Sequence, residues 1–220
     1  MPDRLPLHLD VVSDVVCPWC YIGKRRLEDA IALADDVAVT VQWRPFFLNP
    51  WIPREGIDRK TYLETKFGSV DRYKRIATNV AAAAQAEGLQ YHADRIGRQP
   101  NTLDCHRLIY WGEPTGQSGA IKQRLMDLYF KEGADLTDIE TLVGAASACG
   151  LDADAVRDRL SSDADVALIA QEAEAAAKGG IEGVPTYVLA GRYALSGAHP
   201  ADQLAKAFRH VATIGAEPAS

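Results

Sequence analysis

The chain holds no long hydrophobic run, no basic stripe and few cysteines, and each shortage removes a class of function. No apolar stretch approaches the ~20 residues that a membrane-crossing helix needs, so no partnership with a membrane is expected. The start, Met1-Pro-Asp-Arg-Leu-Pro-Leu-His-Leu-Asp, lacks the charged head and apolar run of a secretory signal, and the expected location is cytoplasmic. Lys and Arg number 24 against 30 Asp and Glu, a net charge of −6, which argues against nucleic acid as a partner. Four cysteines in 220 residues cannot make a disulfide scaffold. No repeat or low-complexity segment stands out. With 47% hydrophobic and 25% charged residues, what remains is an ordinary globular chain able to bury a core without staples.

The order of elements is more specific. Residues 7–13 are β-rich and read as a strand. Cys17-Pro18-Trp19-Cys20 follows, then a helix to about residue 34 with Ile22, Leu27, Ala30 and Ile31 on one stripe. Residues 37–43 alternate strictly, as a half-buried strand does. The Pro-rich stretch 44–57 reads as a loop and boundary. From 58 to 179 only helical patterns occur. These include 70–87, a helix capped by Thr102, 118–132, a capping box of Thr137 and Glu140, and 164–178. After Gly179-Gly180 the chain returns to a strand at 183–190, a turn at Gly191, a second strand to Ser196 and a helix from Pro200. The expected fold class is α/β: a thioredoxin fold in two halves, 1–57 (βαβ) and 180–220 (ββα), separated by a helical insertion domain, 58–179.

A CxxC at the start of a helix has a chemical meaning. The first helical N–H groups are unpaired and the dipole is positive there, so a thiolate is stabilised. Cys17 is then the exposed, ionised nucleophile and Cys20, one turn along, its partner. Pro18 occupies the first turn, where its missing N–H costs little. Two cysteines that merely pack are the bland alternative. A zinc site needs a second ligand pair, which Cys105-His106, Cys149 and His199 do not form, so no metal is expected. Cys105 reads as buried or as near the site, and Cys149, on an apolar stripe with Leu142 and Ala146, as structural.

Gly183-Val184-Pro185-Thr186, just before a strand, resembles the cis-proline loop that faces the CxxC in the thioredoxin superfamily. The stretches 13–23 (SDVVCPWCYIG), 44–50 (RPFFLNP), 101–108 (NTLDCHRL), 183–186 (GVPT) and 196–198 (SGA) together resemble the DsbA-like family and, within it, FrnE-type oxidoreductases. The resemblance implies a cis Pro185 in a near-surface loop, and Val184 backbone groups offered to a substrate. It also implies that Asn101 and His106 line the active-site face, with His106 able to bond a thiolate or carry its proton. A plain core or surface role for His106 stays open, and Arg107 reads equally as a surface ion pair. Where DsbA has a histidine between its cysteines, this chain has Trp19, an aromatic surface beside Cys17. No positive neighbour for the thiolate is evident.

Two activities follow from the resemblance. One is thiol–disulfide exchange with protein or small-molecule thiols and disulfides, needing no cofactor, with glutathione as the one candidate co-substrate. The other is a glutathione-dependent isomerase or transferase of the 2-hydroxychromene-2-carboxylate isomerase or kappa-class type. That branch usually carries a lone serine in place of the CxxC and an acidic residue after the last strand. Here both cysteines are intact and Ser196-Gly-Ala-His199 holds no acid. A homodimer is compatible with either activity.

Overall fold

The computed structural model describes residues 4–216; the outermost residues of the expected halves 1–57 and 180–220 lie outside them. Strand β1 (Leu5–Ser13) leads through Val15 and Val16 into helix α1 (Pro18–Leu33), followed by β2 (Val37–Pro45). β1 pairs in parallel with β2, from Leu5 opposite Val37 to Ser13 opposite Pro45. At the far end of the chain β5 (Thr186–Leu189) and β6 (Tyr193–Ser196) form an antiparallel hairpin that joins β1 through Val12 opposite Thr186, giving the sheet order β2-β1-β5-β6. Helix α9 (Ala201–Ala216) closes this unit. The result is a mixed α/β thioredoxin fold.

Burial along β1 explains its central place. Leu7 and Leu9 are buried while Pro6 and His8 face out, the alternation of a sheet covered on one face. Val11, Val12 and Ser13 are all buried, because both faces are covered at that end. The sheet core joins Leu7, Leu9 and Val11 to Leu27 and Ala30 of α1 and to Leu204 and Phe208 of α9.

Between β2 and β5 the chain runs through α2 (Arg59–Phe67), α3 (Val70–Ala86), α4 (Leu103–Trp111), α5 (Ser118–Asp127), α6 (Ile139–Ala148), α7 (Ala153–Leu160) and α8 (Val166–Lys178). These helices build a second core around Leu108, Ile121, Leu125, Phe130, Leu142 and Val143. Among the described residues no helix is long and apolar enough to cross a membrane.

Four local expectations are corrected. The stretch 58–179 is not wholly helical: β3 (Ile57–Asp58) and β4 (Arg98–Gln99) pair antiparallel at its start. Thr102 does not cap α4 through its side chain; Asn101 Oδ1 instead accepts from Leu103 N at 3.0 Å. α6 is capped by Asp138, which accepts from Thr141 N, while Thr137 turns its hydroxyl to Asp135. The helix expected over 118–132 breaks into a π-helical turn at Leu128–Glu132. Two neighbouring cap formers compete in the Thr137-Asp138 pair, and the carboxylate wins at the position where the backbone is extended.

Candidate active site

The site lies where the two cores meet. Val15, Val16, Cys17, Cys20 and Tyr21 belong to the helical core, although α1 otherwise packs on the sheet. Cys17 is the N-cap of α1 in extended conformation, and Pro18 takes the first helical position. The turn is pinned by Cys17 N donating to Asp14 O (3.3 Å), while Cys20 N and Tyr21 N donate to Cys17 O (3.0 and 3.2 Å). Trp19 is 41% exposed. Cys17 is only 4% exposed and Cys20 2%. The expectation of an exposed Cys17 is therefore corrected: the helical core covers the helix start that would be open in a bare thioredoxin sheet.

Burial and helix geometry split the two thiols. The Cys20 thiol and the N–H groups of Cys20 and Trp19 point to the Cys17 sulfur and pull its pKa below the ordinary thiol value, against burial and the Asp14 charge. Burial pushes Cys20 well above that value, reinforced by the Cys17 sulfur. The low-pKa thiol is the one at the helix end, where the unpaired N–H groups are.

Opposite Cys17 stands the 183–186 loop. The Val184–Pro185 peptide is cis, and Cys17 Sγ is 3.5 Å from Val184 O. Thr186 Oγ1 donates to Gly183 O (2.7 Å) and Gly197 N to Pro185 O (2.8 Å). Pro185 is buried, not near the surface. A Cβ on Gly23 of α1 would come within 2.9 Å of the Pro185 ring and 2.7 Å of the Tyr187 hydroxyl, which donates to Gly23 O at 3.0 Å. Only glycine lets α1 and this loop approach so closely.

Of the two residues expected from the helical side, His106 stands beside Asp14 of the turn that carries Cys17, and Asn101 is engaged in backbone hydrogen bonds. Asn101 Nδ2 donates to Ile52 O (2.7 Å), tying the loop before α2 to the start of α4. His106 is 3% exposed, with its ring against Phe47 and Nε2 3.5 Å from Asp14 Oδ1. That separation is too long for a formed hydrogen bond. Burial lowers the His106 pKa, the Asp14 charge opposing it, so the ring is mostly neutral at neutral pH. Arg107 is no surface residue: fully buried, it donates to Ala164 O, Arg159 O and Ser162 O and to the Asp104 carboxylate. Cys105 is buried, and Cys149 is partly so.

The positive neighbours missing from the sequence reading come from distant helices. Lys122 of α5 is 1% exposed, with Nζ 5.1 Å from the Trp43 ring centroid. Burial pulls its pKa down to about 8, while the Cys20, Asp14 and Cys17 charges pull it up. Lys66 of α2 donates to Asn49 Oδ1 at 2.5 Å and lies along the Tyr62 and Phe67 rings. Its partial burial lowers its pKa, and the Cys17 charge opposes that shift. Leu48 N donates to Asp14 Oδ2 at 2.8 Å, so one loop joins Lys66 through Asn49 to the turn that carries Cys17. Asp14 and Asn49 lie inside stretches noted for family resemblance, but nothing in their spacing marks a role. Lys122 left a trace: it shares a helical face with Met126 and Tyr129, both buried.

Comparison with known proteins agrees with this geometry. A family model described as DSBA-like thioredoxin domain matches residues 8–209. A probable DsbA oxidoreductase from Streptomyces coelicolor, in crystal form, is 32% identical, with a TM-score of 0.86 over 97% of this chain and 92% of that one. A 2-hydroxychromene-2-carboxylate isomerase structure superposes with a TM-score of 0.70 at 19% identity, over 97% of this chain and all of the other (100%). The uncharacterized protein YwbO of Bacillus subtilis is 26% identical over 148 residues, 67% of this chain and 68% of its own.

Proposed function

This chain belongs to the DSBA-like thioredoxin domain family, and from that premise we propose that it is a protein thiol–disulfide oxidoreductase working through Cys17 and Cys20. The observation that carries the reading is the asymmetry of the pair. Cys17, at the head of α1 and opposite Val184 O, is the thiol held toward its thiolate, while Cys20 is held toward its protonated form.

In the oxidising direction a substrate thiolate attacks Sγ of Cys17 in the Cys17–Cys20 disulfide. The S–S bond breaks, a mixed disulfide forms at Cys17, and Cys20 leaves as thiolate and takes up a proton. A second substrate thiolate attacks the substrate sulfur of the mixed disulfide, giving the substrate disulfide and releasing Cys17 as thiolate. Two electrons pass from substrate to the pair. Cys17 leaves easily because its pKa is lowered. In the reducing direction Cys17 attacks and Cys20 resolves. Val184 supports a substrate backbone laid across the site in the manner of an added strand, with Trp19 as an apolar flank. Glutathione fits the same place as a small thiol co-substrate.

Reduction of insulin by dithiothreitol, with and without the protein, tests the reading. Acceleration that disappears in Cys17→Ser supports it. An unchanged rate, or a rate that survives Cys17→Ser, overturns it.

A further inference from the structure

We propose that the cavity between α2, α3 and residues 91–96 is a binding site for a small carboxylate with an apolar body, and that Arg59 is its counter-charge. The cavity measures about 800 Å³, within the ~300–1,000 Å³ range of small-molecule sites. Leu63, Val70, Ala77, Ala81 and Ile96 give it apolar walls. Cys17, Cys20 and Val184 are not among its walls, so the site is separate from the thiol pair.

Arg59 is the reason to expect an anion. Arg59 is half-buried, with its guanidinium carbon 5.1 Å from the centroids of both the Tyr62 and the Tyr73 ring. Nη1 donates to Gln99 Oε1 (2.5 Å) and Tyr129 OH (3.2 Å), and Nη2 to Tyr73 OH (2.9 Å). Every acceptor is neutral. Nε is buried and meets no acceptor among the described residues. No carboxylate of the described residues forms an ion pair with Arg59, whereas buried Arg107 and half-buried Arg26 each hold one. A charge withdrawn from water without a counter-ion is costly, and an anion in the adjoining cavity removes that cost.

The remaining charges at the cavity are already engaged or sit at its edge. Asp58 spends its carboxylate capping α2 through Thr61 N (3.0 Å) and Oγ1 (3.2 Å). Lys74 pairs with Asp71, and Lys60 stands 4.0 Å from Glu64; Asp94 lies on the wall. Tyr73 OH accepts from Arg59 and is 3.2 Å from Tyr91 OH. If Tyr73 donates to Tyr91, the Tyr91 proton is left to donate outward. The second Nη2 proton of Arg59, for which no acceptor stands among the described residues, and the Tyr91 phenol then present two donors to one carboxylate, with hydrocarbon walls beyond.

The test is calorimetric titration of the full chain with decanoate, below its micellar range, and with 2-naphthoate. Decanol and methyl 2-naphthoate serve as uncharged controls. The expected result is saturable binding of at least one carboxylate, weakened about tenfold or more in the matched neutral compound and in Arg59→Gln. Ala77→Leu, which narrows the cavity between α3 and the opposite wall and leaves Arg59 alone, should weaken binding too, and it keeps the test decisive should Arg59→Gln fail to fold. No binding by either carboxylate, equal binding by the neutral controls, or full binding by Ala77→Leu overturns the proposal. Insulin reduction should persist in Ala77→Leu, so a failure at this cavity is distinct from a failure of the thiol chemistry.

Discussion

Cys17 Sγ and Val184 O face each other at 3.5 Å although 167 residues of chain separate them. A protonated Cys17 can donate to that carbonyl; a thiolate cannot and must rely on the donors at the head of α1. The contact thus favours the thiol, and the Cys20 thiol with the Trp19 and Cys20 N–H groups favours the thiolate. Since the Cys20 thiol is the largest of these influences, Cys20→Ala should raise the Cys17 pKa. Thiolate ultraviolet absorbance followed against pH measures it. Iodoacetamide at neutral pH should label reduced wild-type protein at Cys17 before Cys20, and the reverse order would refute the assignment of roles.

Gly23 should tolerate no side chain. A methyl group there would meet the Tyr187 hydroxyl at 2.7 Å and the Pro185 ring at 2.9 Å, both buried. The ring cannot swing aside as a flexible chain end would, so the loop must move as a unit. Gly23→Ala should cost roughly 1–3 kcal/mol of stability, as overpacking does, although alanine is the better helix former. It should also slow insulin reduction by displacing Val184 from Cys17. Urea denaturation and the insulin assay read the two effects; unchanged values in both would show that the contact is slack.

The βαβ and ββα halves were legible because each announces itself locally. Strict alternation marks 37–43, and CPWC between strand and helix marks the candidate nucleophile. The hidden part of the site is that supplied by the long helical stretch. Nothing in α1 tells that helices α4 and α5 will cover it, so Cys17 reads as exposed and its charged neighbours as absent. Lys122 and Lys66 become partners only through tertiary packing, which periodicity does not encode. The burial of Arg107 is hidden in the sequence for the same reason. A charged residue is expected at the surface, yet its guanidinium gathers carbonyls from the end of α7 and the turn that follows.

Lys66 should tune the redox pair. Its ammonium and the Cys17 thiolate attract each other, so Lys66→Met should raise the Cys17 pKa and destabilise the reduced form. The pair becomes less oxidising. Although burial touches part of the Lys66 side chain, the residue as a whole is open to solvent, which screens the interaction. The shift should stay below about one pKa unit, corresponding to no more than about 30 mV toward more negative potential. Equilibration with a glutathione buffer measures this. A shift of the opposite sign would remove Lys66 from the electrostatics of the site.

Lys122 should reveal itself in how stability depends on pH. Burial lowers its native pKa to about 8, against about 10.4 in an unfolded chain. Below about pH 8 the lysine is charged in both states and the native protein bears the full cost of a buried ammonium. Between about pH 8 and 10.4 the unfolded state binds the proton and the native state does not, so wild-type stability gains with rising pH relative to a variant without the lysine. The gain of wild type over Lys122→Met should total about 3 kcal/mol across that window. Urea denaturation of both proteins at several pH values gives the difference directly, since the other groups that titrate there are common to both. The Cys20 and Cys17 charges raise the Lys122 pKa, and the disulfide carries neither. In the oxidised protein the gain should therefore begin at lower pH than in the reduced one. The cost of this lysine has a return in the chemistry: it also lowers the Cys20 pKa against burial. Lys122→Met should then slow every step in which Cys20 departs or attacks as thiolate, leaving initial alkylation of Cys17 nearly unchanged. A wild-type to variant difference that is flat from about pH 8 to 10.4 would mean that Lys122 is not held as a strained buried cation beneath the pair.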